Sequence, residues 1–254
     1  MLSKDELYEK LTETFKIPLS GWDFSSFKSI KESELPWSYY KIVKKYLKKT
    51  SRLLDIGTGG GEFLLTLNHP YEKTYVTEGY DINYDLCLKK LAPLGVNVYN
   101  VDGSSIMPFE TSFFNIVINR HESYNIFDIK RILKKRGIFI TQQVGYKNDQ
   151  SLRSIINQND ENIKGIDENF NCVSEANFIW KTGFRILKEE EYFPKLRFYD
   201  IFELVLFCRM ISFEFDDFTL DKKIDQIYQI YQIIEEKGYF ETVEHRFLIV
   251  ARKV

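Results

Sequence analysis

Cysteine and histidine are scarce in this sequence, which limits the chemistry that it can support. There are 3 of each among 254 residues. Cys87, Cys172 and Cys208 lie far apart, without a CxxC pair and without a neighbouring histidine. An odd, dispersed set of cysteines argues against a disulfide framework, and the lack of a Cys/His cluster argues against a zinc site. We therefore expect free, mostly buried thiols and no metal.

Long apolar runs are also lacking, and neither sign of charge is in excess. No stretch of 18 apolar residues occurs, and the first residues, MLSKDELYEKL, carry charges throughout. Neither a membrane span nor a secretory leader is predicted, and a cytoplasmic location is expected. The net charge of -2 and the pI of 6.0 provide no overall attraction to nucleic acid or to an anionic membrane. The basic run KIVKKYLKKTSR (41–52) is interpreted as the solvated face of a helix.

From residue 51 onwards the sequence alternates regularly between strand-like and helix-like segments. Short apolar runs predict strands in RLLDI, KTYVTE, GVNVYNVD, FFNIVIN and GIFITQQ. Amphipathic segments between them predict helices, among them one that Asn83 caps and one in FDIKRILKKRG that Gly137 closes. Strands and helices that alternate at this spacing imply right-handed crossovers, and therefore an α/β fold with a parallel, doubly wound sheet.

The C-terminal part departs from this simple alternation. RILKEEEYFPKLRF and ETVEHRFLIVARKV each predict one strand, and two segments between them predict helices. With the five earlier strands they make a mostly parallel, seven-stranded sheet. We expect the last strand to be antiparallel, and residues from about 200 to 238 to form a helical insertion before it.

The first 49 residues predict a helical cap that precedes a domain comprising residues 50–254. Ser3 and Glu6 have the pattern of a capping box at the start of one helix. A second helix is predicted to have Pro36 in its first turn and to end near residue 48. Its inward-facing residues are predicted to be Trp37, Tyr40, Val43 and Leu47.

A glycine-rich turn follows the first strand of this domain, in DIGTGGGEFLL (55–65). A P-loop needs GxxxxGK[ST], and no lysine lies in this turn, so a triphosphate site is disfavoured. The NAD fingerprint GxGxxG/A needs a small residue where Glu62 stands, and it has no acid at the place of Asp55. A carboxylate beside the loop is a poor neighbour for a pyrophosphate and a good one for a cation.

This turn resembles the first motif of the class I S-adenosylmethionine-dependent methyltransferases, an acidic residue followed by GxGxG. DIGTGGG matches it at Asp55, Gly57, Gly59 and Gly61, with Thr58 inside the turn. The resemblance implies a Rossmann-like fold, S-adenosyl-L-methionine as cofactor and S-adenosyl-L-homocysteine as product. It also implies that the glycines and the following helix start receive the methionine end of the cofactor, and that Asp55 supports the loop and the ammonium group.

Two later segments extend the resemblance, which covers residues 50–145 and, loosely, the last two strands. TYVTEGYD ends a strand at Glu78, whose carboxylate is expected to accept hydrogen bonds from both ribose hydroxyls. In YNVDGSS, the resemblance implies that Asp102 contacts the adenine amino group. The further residues that it places around the cofactor are Gly79, Tyr80, Gly103, Ser104, Asn119 and Arg120.

The residues nearest the transferred methyl group are expected at the end of the fourth strand, in VINRHESY, because this edge of the sheet faces the cleft. Methyl transfer is an in-line displacement on an activated donor, so the protein aligns the acceptor and, where needed, removes a proton. His121 is interpreted as a general base and Glu122 as its partner or as a ligand for a cationic acceptor. The alternative is that NRHES only caps the next helix and packs against the cofactor.

Residues for the methyl acceptor are sought at the same edge and in the flanking segments. The candidates are Trp37, Tyr40, Gln143, Arg197 and Tyr199. Trp37 and Tyr40, like Trp22 before them, suit pocket walls, although aromatic residues of an amphipathic helix are more often core. Gln143, which follows Gln142 at the end of the fifth strand, suits a polar group of the acceptor. Arg197, near the end of the sixth strand, suits an anionic acceptor, and an ion pair with a nearby glutamate is the alternative.

The leading prediction is an enzyme, a methyltransferase that acts on a small-molecule acceptor as a monomer or homodimer. A methyltransferase for RNA bases is the second hypothesis, and it would need a basic stripe beside the cleft. The lysines at 44, 45, 48 and 49 are the cluster available, and NRHE stands where many amino-methylating nucleic-acid enzymes carry an NPPY-type tetrapeptide. Nucleic acid is therefore a disfavoured partner. A protein that binds the cofactor without turnover is the third hypothesis.

Overall fold

The computed structural model describes residues 1–18, 27–158, 167–212, 214–215 and 217–254. Its strands are β1 Ile30–Glu32, β2 Leu53–Ile56, β3 Thr74–Glu78, β4 Asn97–Asn100, β5 Phe114–Arg120, β6 Leu133–Val144, β7 Phe184–Tyr192, β8 Lys195–Phe198, β9 Phe240–Val243 and β10 Arg246–Lys253. Its α-helices are α1 Lys4–Lys16, α2 Tyr39–Tyr46, α3 Glu62–Thr66, α4 Asp81–Lys90, α5 Ile126–Ile132, α6 Gln150–Ile156, α7 Cys172–Lys181, α8 Ile201–Met210 and α9 Leu220–Lys237. None of these described helices is long and apolar enough to cross a membrane.

Seven strands form one sheet in the order β4-β3-β2-β5-β6-β10-β7. Strand β10 is antiparallel to both of its neighbours, and the other pairs are parallel. The predicted doubly wound, mostly parallel sheet with an antiparallel last strand is thereby confirmed. Ile56 pairs with Thr77 on one side and with Asn119 on the other. The carboxyl ends of β2, β3 and β5 therefore lie level, and the loops that follow them share one edge.

Both faces of this sheet are buried, because successive strand residues point into opposite apolar layers. In β2, Leu53 belongs to one layer and Leu54 to the other. In β10, Phe247 and Ile249 lie in the layer of Leu54, whereas Leu248 lies in the layer of Leu53. The near-continuous apolar runs of the sequence follow from this double burial.

The chain divides into two compact units. The sheet unit comprises Leu35–Tyr146, Glu168–Tyr192 and Arg246–Val254, and the helical unit comprises Met1–Glu34, Lys147–Asp167 and Phe193–His245. The sequence predicts a cap over residues 1–49 and an insertion over about 200–238. The boundaries of the two compact units differ from these, so this domain division stays a prediction.

The helical unit has an apolar core of its own, to which α1, α8 and α9 contribute. Leu7 and Leu11 of α1 are fully buried in it together with Leu204 and Ile230. The predicted capping box is confirmed: the Ser3 side chain accepts from the amide of Glu6, and the Glu6 side chain accepts from that of Ser3. A three-stranded antiparallel sheet, β1-β8-β9, completes this unit.

Two segments that the sequence analysis treated as single strands are each divided between the two sheets. The first breaks at Phe193–Pro194, between β7 and β8, and the second at Glu244–His245, between β9 and β10. The single-strand prediction was therefore wrong in both places. Pro194 lacks an amide donor and so cannot continue a sheet ladder, but nothing in the residues 244–245 signals the second break.

The helix expected to close at Gly137 ends at Ile132 instead, and Leu133 already pairs with Phe114. The next pair joins Ile116 to Ile138, so the residues between bulge out of β6. A Cβ at Gly137 would lie 2.8 Å from the carbonyl oxygen of Lys134. Gly137 is therefore needed for the tight bulge and not for a helix cap.

Two helix starts also differ from the prediction. Helix α4 begins at Asp81 with Tyr80 as N-cap, so Asn83 lies inside it and caps nothing. Helix α2 begins at Tyr39, after the N-cap Ser38, whose hydroxyl accepts from the amide of Lys41. This start lies beyond the predicted first turn at Pro36, because the serine offers the side-chain cap that orphan amides require.

Candidate functional site

The loop between β2 and α3 carries the glycines of the predicted cofactor motif. Gly57, Gly59 and Gly61 have φ angles of 67°, 60° and 77°, in the left-handed region that other residues avoid. A Cβ at Gly57 would overlap Cγ of Glu122, whereas a Cβ at Gly59 would meet no atom of the described residues within 4 Å. The loop is therefore tightly packed at Gly57 and open at Gly59, where a ligand can approach the backbone.

Asp55 lies in β2, just before this loop, and is 5% exposed. The hydroxyl of Thr58 donates to its Oδ2 across 2.8 Å. Burial raises the pKa of Asp55 to about 7 in spite of this hydrogen bond and of the positive charge of Arg120, and the charge of Glu78 adds to the rise. The protein thus holds a carboxyl group where a positive ligand charge would favour its ionised form.

Glu78 ends β3 and is buried beside the same loop. Its Oε2 accepts from the amide of Gly59 across 2.8 Å, and its Oε1 accepts from the amide of Tyr80 across 3.1 Å. Desolvation nevertheless raises the pKa of Glu78 above its usual value, and the charge of Glu122 raises it further. The two hydrogen bonds fix the carboxylate in one orientation and tie the acid to the loop.

Cys87 supports the glycine loop from α4, a role that the sequence analysis did not foresee. Its Sγ donates to the carbonyl oxygen of Gly59 across 3.0 Å. Leu91, four residues later, packs against Gly61 so closely that a Cβ at Gly61 would lie 2.8 Å from Cδ1 of Leu91. The i, i+4 spacing of Cys87 and Leu91 was the available signal. Burial raises the pKa of the Cys87 thiol to about 12, so it remains protonated as a donor.

The predicted adenine-side residues come together between the loops after β3, β4 and β5. A Cβ at Gly79 would lie 2.9 Å from Cα of Asp102, and one at Gly103 would overlap the carbonyl oxygen of Ser123. Oδ1 of Asp102 accepts from the amide of Ser104 across 2.8 Å, and also from its hydroxyl. Glycine is required at both positions because the three loops meet backbone to backbone.

Asn119 and Gln143, expected to face the cofactor and the acceptor, are instead buried in a polar network. Oδ1 of Asn119 accepts one hydrogen bond from the hydroxyl of Thr141 across 3.0 Å and another from the side-chain nitrogen Nε2 of Gln143. The Gln143 amide also donates to the carbonyl oxygen of Glu122 across 2.9 Å. These contacts hold the NRHE loop onto β6. The substrate role of Gln143 stays a prediction without support from these contacts.

A second chain of hydrogen bonds joins Trp37, Gln142 and His121. The indole Nε1 of Trp37 lies 2.9 Å from Oε1 of Gln142, and Nε2 of Gln142 lies 3.1 Å from Nε2 of His121. An indole nitrogen only donates, so the Gln142 oxygen faces it and the amide nitrogen donates to His121. The neutral imidazole of His121 therefore carries its proton on Nδ1. The lone pair of its Nε2 accepts the hydrogen bond from Gln142.

His121 also has an unusual backbone and an unusual pKa. Its φ is 60°, a left-handed value that is costly for a residue with a side chain, and its amide donates to the carbonyl oxygen of Gln142 across 2.9 Å. The surrounding protein lowers the pKa of His121 to about 3, and the charges of Arg246 and Arg120 lower it further in the same direction. The imidazole is therefore neutral near pH 7 and only weakly basic.

These observations bear on the general-base hypothesis for His121. A base near neutral pH needs a free lone pair and a matching pKa. The bond from Gln142 and the lowered pKa argue against this role, whereas the exposure of His121 favours it, so the general base stays a prediction. The bond and the lowered pKa favour a different use of the ring, in which Nδ1–H donates a hydrogen bond.

Comparison of this structure with solved structures identifies the family of folds to which it is similar. No protein-family model matches the chain, and no curated protein sequence matches it significantly. Three similar structures each match 84% of this chain: a proposed methyltransferase from Bacillus halodurans, the [4+2]-cyclase SpnF and a proposed sarcosine dimethylglycine methyltransferase from Galdieria sulphuraria. Their sequence identities to this chain are 18%, 18% and 14%, and the matches cover 97%, 79% and 82% of their own chains. The TM-scores are 0.57, 0.54 and 0.51. This is the class I methyltransferase fold.

In this class I methyltransferase fold, Arg120 and Tyr39 flank the glycine loop from β5 and α2. The Arg120 guanidinium lies 4.8 Å from the ring centre of Phe63, and the Tyr39 hydroxyl donates to the carbonyl oxygen of Asn119 across 3.0 Å. Tyr40, the predicted pocket wall, is 39% exposed, whereas Tyr39 is buried. The inward-facing prediction for Tyr40 was wrong by one residue because α2 starts later than expected. Trp37 is buried as predicted.

Arg197 and Tyr199 do not lie at the end of a strand of the class I sheet, as was expected. Arg197 is in β8 of the three-stranded sheet, within the helical unit, and Tyr199 follows it. Nε of Arg197 lies 2.6 Å from Oε2 of Glu241, and its guanidinium lies 4.6 Å from the ring centre of Tyr239. Arg197 thus has the ion pair considered as the alternative. Trp22 lies outside the described residues.

The three cysteines are free and buried. Within the described part of the chain, no group of three or more His, Cys, Asp and Glu side chains is arranged to hold a metal ion.

Proposed function

We propose that this protein is an S-adenosyl-L-methionine-dependent methyltransferase that methylates a small-molecule acceptor. The observation that carries this proposal is the crowding of three acids, Asp55, Glu78 and Glu122, around the open glycine loop. Burial raises the pKa of Asp55 and of Glu78, and the charges of Glu78 and Glu122, respectively, add to these rises. A ligand with ammonium and sulfonium groups relieves this repulsion, whereas a pyrophosphate or triphosphate adds to it.

The residues of the sheet unit fit the parts of this cofactor. Each oxygen of Glu78 accepts one backbone hydrogen bond, and the Asn83 side chain donates a further one to the carboxylate, which leaves one lone pair for a ribose hydroxyl. Asp102 is oriented by Ser104 through Oδ1, which leaves Oδ2 for the adenine amino group. Asp55 and the backbone at Gly59 suit the ammonium end. The bound cofactor supplies an activated methyl group, and the protein supplies binding, orientation and exclusion of water.

On the acceptor side, we assign His121 the role of a hydrogen-bond donor. Its Nδ1–H is fixed by the bond from Gln142 to Nε2, and its low pKa keeps it neutral. A neutral donor orients an acceptor lone pair without adding positive charge next to a sulfonium. This arrangement suits an acceptor whose attacking lone pair is already free, since His121 is too weak a base to release one.

Two neighbours bear on the substrate class. The proposed sarcosine dimethylglycine methyltransferase from Galdieria sulphuraria supports a small acceptor for this chain too. The cyclase SpnF demonstrates that the fold also serves another reaction, so methyl transfer itself has to be measured. The sheet edge with the glycine loop carries Asp55, Glu78 and Glu122, and this acidic character supports a small molecule over a nucleic acid as acceptor there.

The test is calorimetric titration with S-adenosyl-L-homocysteine, with NAD as the competing ligand. We expect binding of the first and none of the second. Glu78→Ala should weaken binding by about tenfold to a hundredfold, because a charged hydrogen-bonding group is lost. Glu72→Ala, an exposed acid of the same unit, is the matched control and should bind normally. Binding of NAD alone would refute the proposal. Transfer of labelled methyl from S-adenosyl-L-methionine to a panel of small amines and carboxylates then tests turnover.

A further inference from the structure

The edge of the seven-stranded sheet opposite the glycine loop is rich in basic side chains. The parallel strands begin at this edge, and β10 ends there. The residues that we call the basic edge are Arg52 before β2, Lys73 before β3, Lys135 and Arg136 in the bulge of β6, Arg185 at the start of β7 and Arg252 at the end of β10. All six lie in the sheet unit, and all but Lys73, which is half-buried, are exposed.

The basic run at 41–52 contributes to this edge rather than to a helix face alone. Helix α2 ends at Tyr46, so Lys48, Lys49 and Arg52 lie in the link to β2. The amide of Arg52 and Nζ of Lys134 both donate to Oδ1 of Asn115, across 2.9 and 3.4 Å. The backbone at Arg52 and the ammonium group of Lys134, from two separate segments, therefore meet at Asn115 on this edge.

Ion pairs within the described part of the chain do not neutralise the positive charge of this edge. Among the described residues, no member of the basic edge has a carboxylate within ion-pair distance, although other cations of the chain form such pairs. Partial burial lowers the pKa of Lys253, and the charge of Lys130 lowers it further. Such repulsion costs stability unless an anion is bound.

Exposed aromatic rings accompany these cations. Trp180 is 61% exposed at the end of α7, beside Lys181, and Tyr71 is 37% exposed in the turn that leads to β3. The guanidinium of Arg52 lies 4.3 Å from the ring centre of Phe113 between them in the sheet order. From β3 to β7 the edge spans about 24 Å at the usual strand spacing. Cations interleaved with aromatic rings over such a length match phosphates with unstacked bases.

We propose that the basic edge binds the phosphate backbone of single-stranded nucleic acid and acts as an anchor separate from the methyl-transfer site. The net charge of -2 conceals this edge, because the remainder of the chain is acidic overall. The strand starts and the carboxyl ends of the same strands lie at opposite edges of the sheet. A nucleic acid held here is consequently not presented to the glycine loop.

The first test is fluorescence anisotropy with labelled oligouridylate at increasing KCl concentration. The wild-type protein should bind, and the logarithm of its affinity should fall linearly with the logarithm of salt, with a slope of about -0.7 for each phosphate contact. The double variant Lys135→Glu, Arg185→Glu should bind about tenfold more weakly at low salt, with a slope shallower by about 1.4 for two lost contacts. Trp180→Ala should weaken binding without a change in slope.

The control is the double variant Lys10→Glu, Lys16→Glu on α1, which has the same change in charge and should bind within about twofold of wild type. Thermal unfolding checks that the variants fold, and Lys135→Gln, Arg185→Gln replaces any that do not. Saturating S-adenosyl-L-homocysteine should leave binding unchanged. The proposal is overturned by absence of wild-type binding at low salt, by equal loss in the control, by competition with that product, or by sedimentation with phosphatidylserine vesicles in the absence of RNA binding.

Discussion

Oε2 of Glu78 accepts a hydrogen bond from the backbone amide of Gly59 across 2.8 Å. This bond joins the end of β3 to the loop after β2, and Cys87 donates to the carbonyl oxygen of the same glycine. Both polar groups of Gly59 are therefore used to shape the loop, while the space at its Cα stays open. These hydrogen bonds within the protein organise the site, at the cost of bringing carboxylates close together.

That cost leads to a prediction for Asp55→Asn. The pKa of Asp55 in the folded protein is about 7, against 3.8 as its ordinary value, so the folded state holds a proton that the unfolded chain has released in this window. Wild-type stability is therefore lost as the pH rises from about 4 to about 7. Relative to wild type, Asp55→Asn should gain roughly 2–3 kcal/mol in free energy of unfolding between about pH 5 and pH 8. Urea unfolding at both pH values measures it, and Glu72→Gln, an exposed acid, should show no such gain.

Asp55 should also make cofactor binding depend on pH. A ligand with an ammonium group favours the ionised carboxylate, so the affinity for S-adenosyl-L-homocysteine should rise as the pH passes through about 7, by at most about tenfold per pH unit. Calorimetric titration from about pH 6 to pH 8 measures this. Asp55→Asn should bind more weakly and lack the rise, and an equal rise in that variant would assign it to another group.

The hydrogen-bond chain through Gln142 predicts the protonation state of His121. Nitrogen NMR of protein labelled at histidine should reveal a proton on Nδ1 and none on Nε2, with no titration between about pH 5 and pH 8. His121→Gln identifies the signal by its disappearance. In Gln142→Glu, both side-chain oxygens are acceptors, so His121 should move a proton to Nε2. The resonances of His69 and His245 serve as internal controls. A proton on Nε2 in the wild-type protein would disprove the assignment.

Trp37→Phe should destabilise the fold by about 1–3 kcal/mol, because Oε1 of Gln142 loses its buried donor. It should also broaden or shift the His121 resonances, since Gln142 becomes free to turn. Trp180→Phe is the matched control: Trp180 is exposed, and the same replacement there should change the free energy of unfolding by no more than about 0.5 kcal/mol. Equal losses in the two variants would indicate that ring size, and not the hydrogen bond, is responsible.

The sequence was sufficient to predict those features that follow from local patterns. Alternating segments predicted the parallel sheet. Asp55 and Glu78 were singled out because each lies near the end of an apolar strand and matches a motif of the family that the sequence resembles. The capping box at Ser3 was readable from a local pattern too. All of these depend on a few neighbouring residues.

Features that depend on distant partners were not readable. Tyr39 and Tyr40 are adjacent and alike, and only the cap at Ser38 decides which of them is buried. The pairing of β1 with β8 joins residues far apart in the chain, so Pro194 signals the end of β7 but not the sheet to which the next residues belong. The assignment of His121 as a donor requires Trp37 and Gln142, which meet it only in the folded protein.

The position of β10 between β6 and β7 has a consequence for biosynthesis. Until residues 246–253 have been made, the sheet contains a gap bordered by two strands whose backbone groups on that side are unpaired. A nascent or prematurely terminated chain therefore offers two open strand edges, to which other chains can add. Truncation before Arg246 should therefore yield aggregates instead of a smaller stable fold.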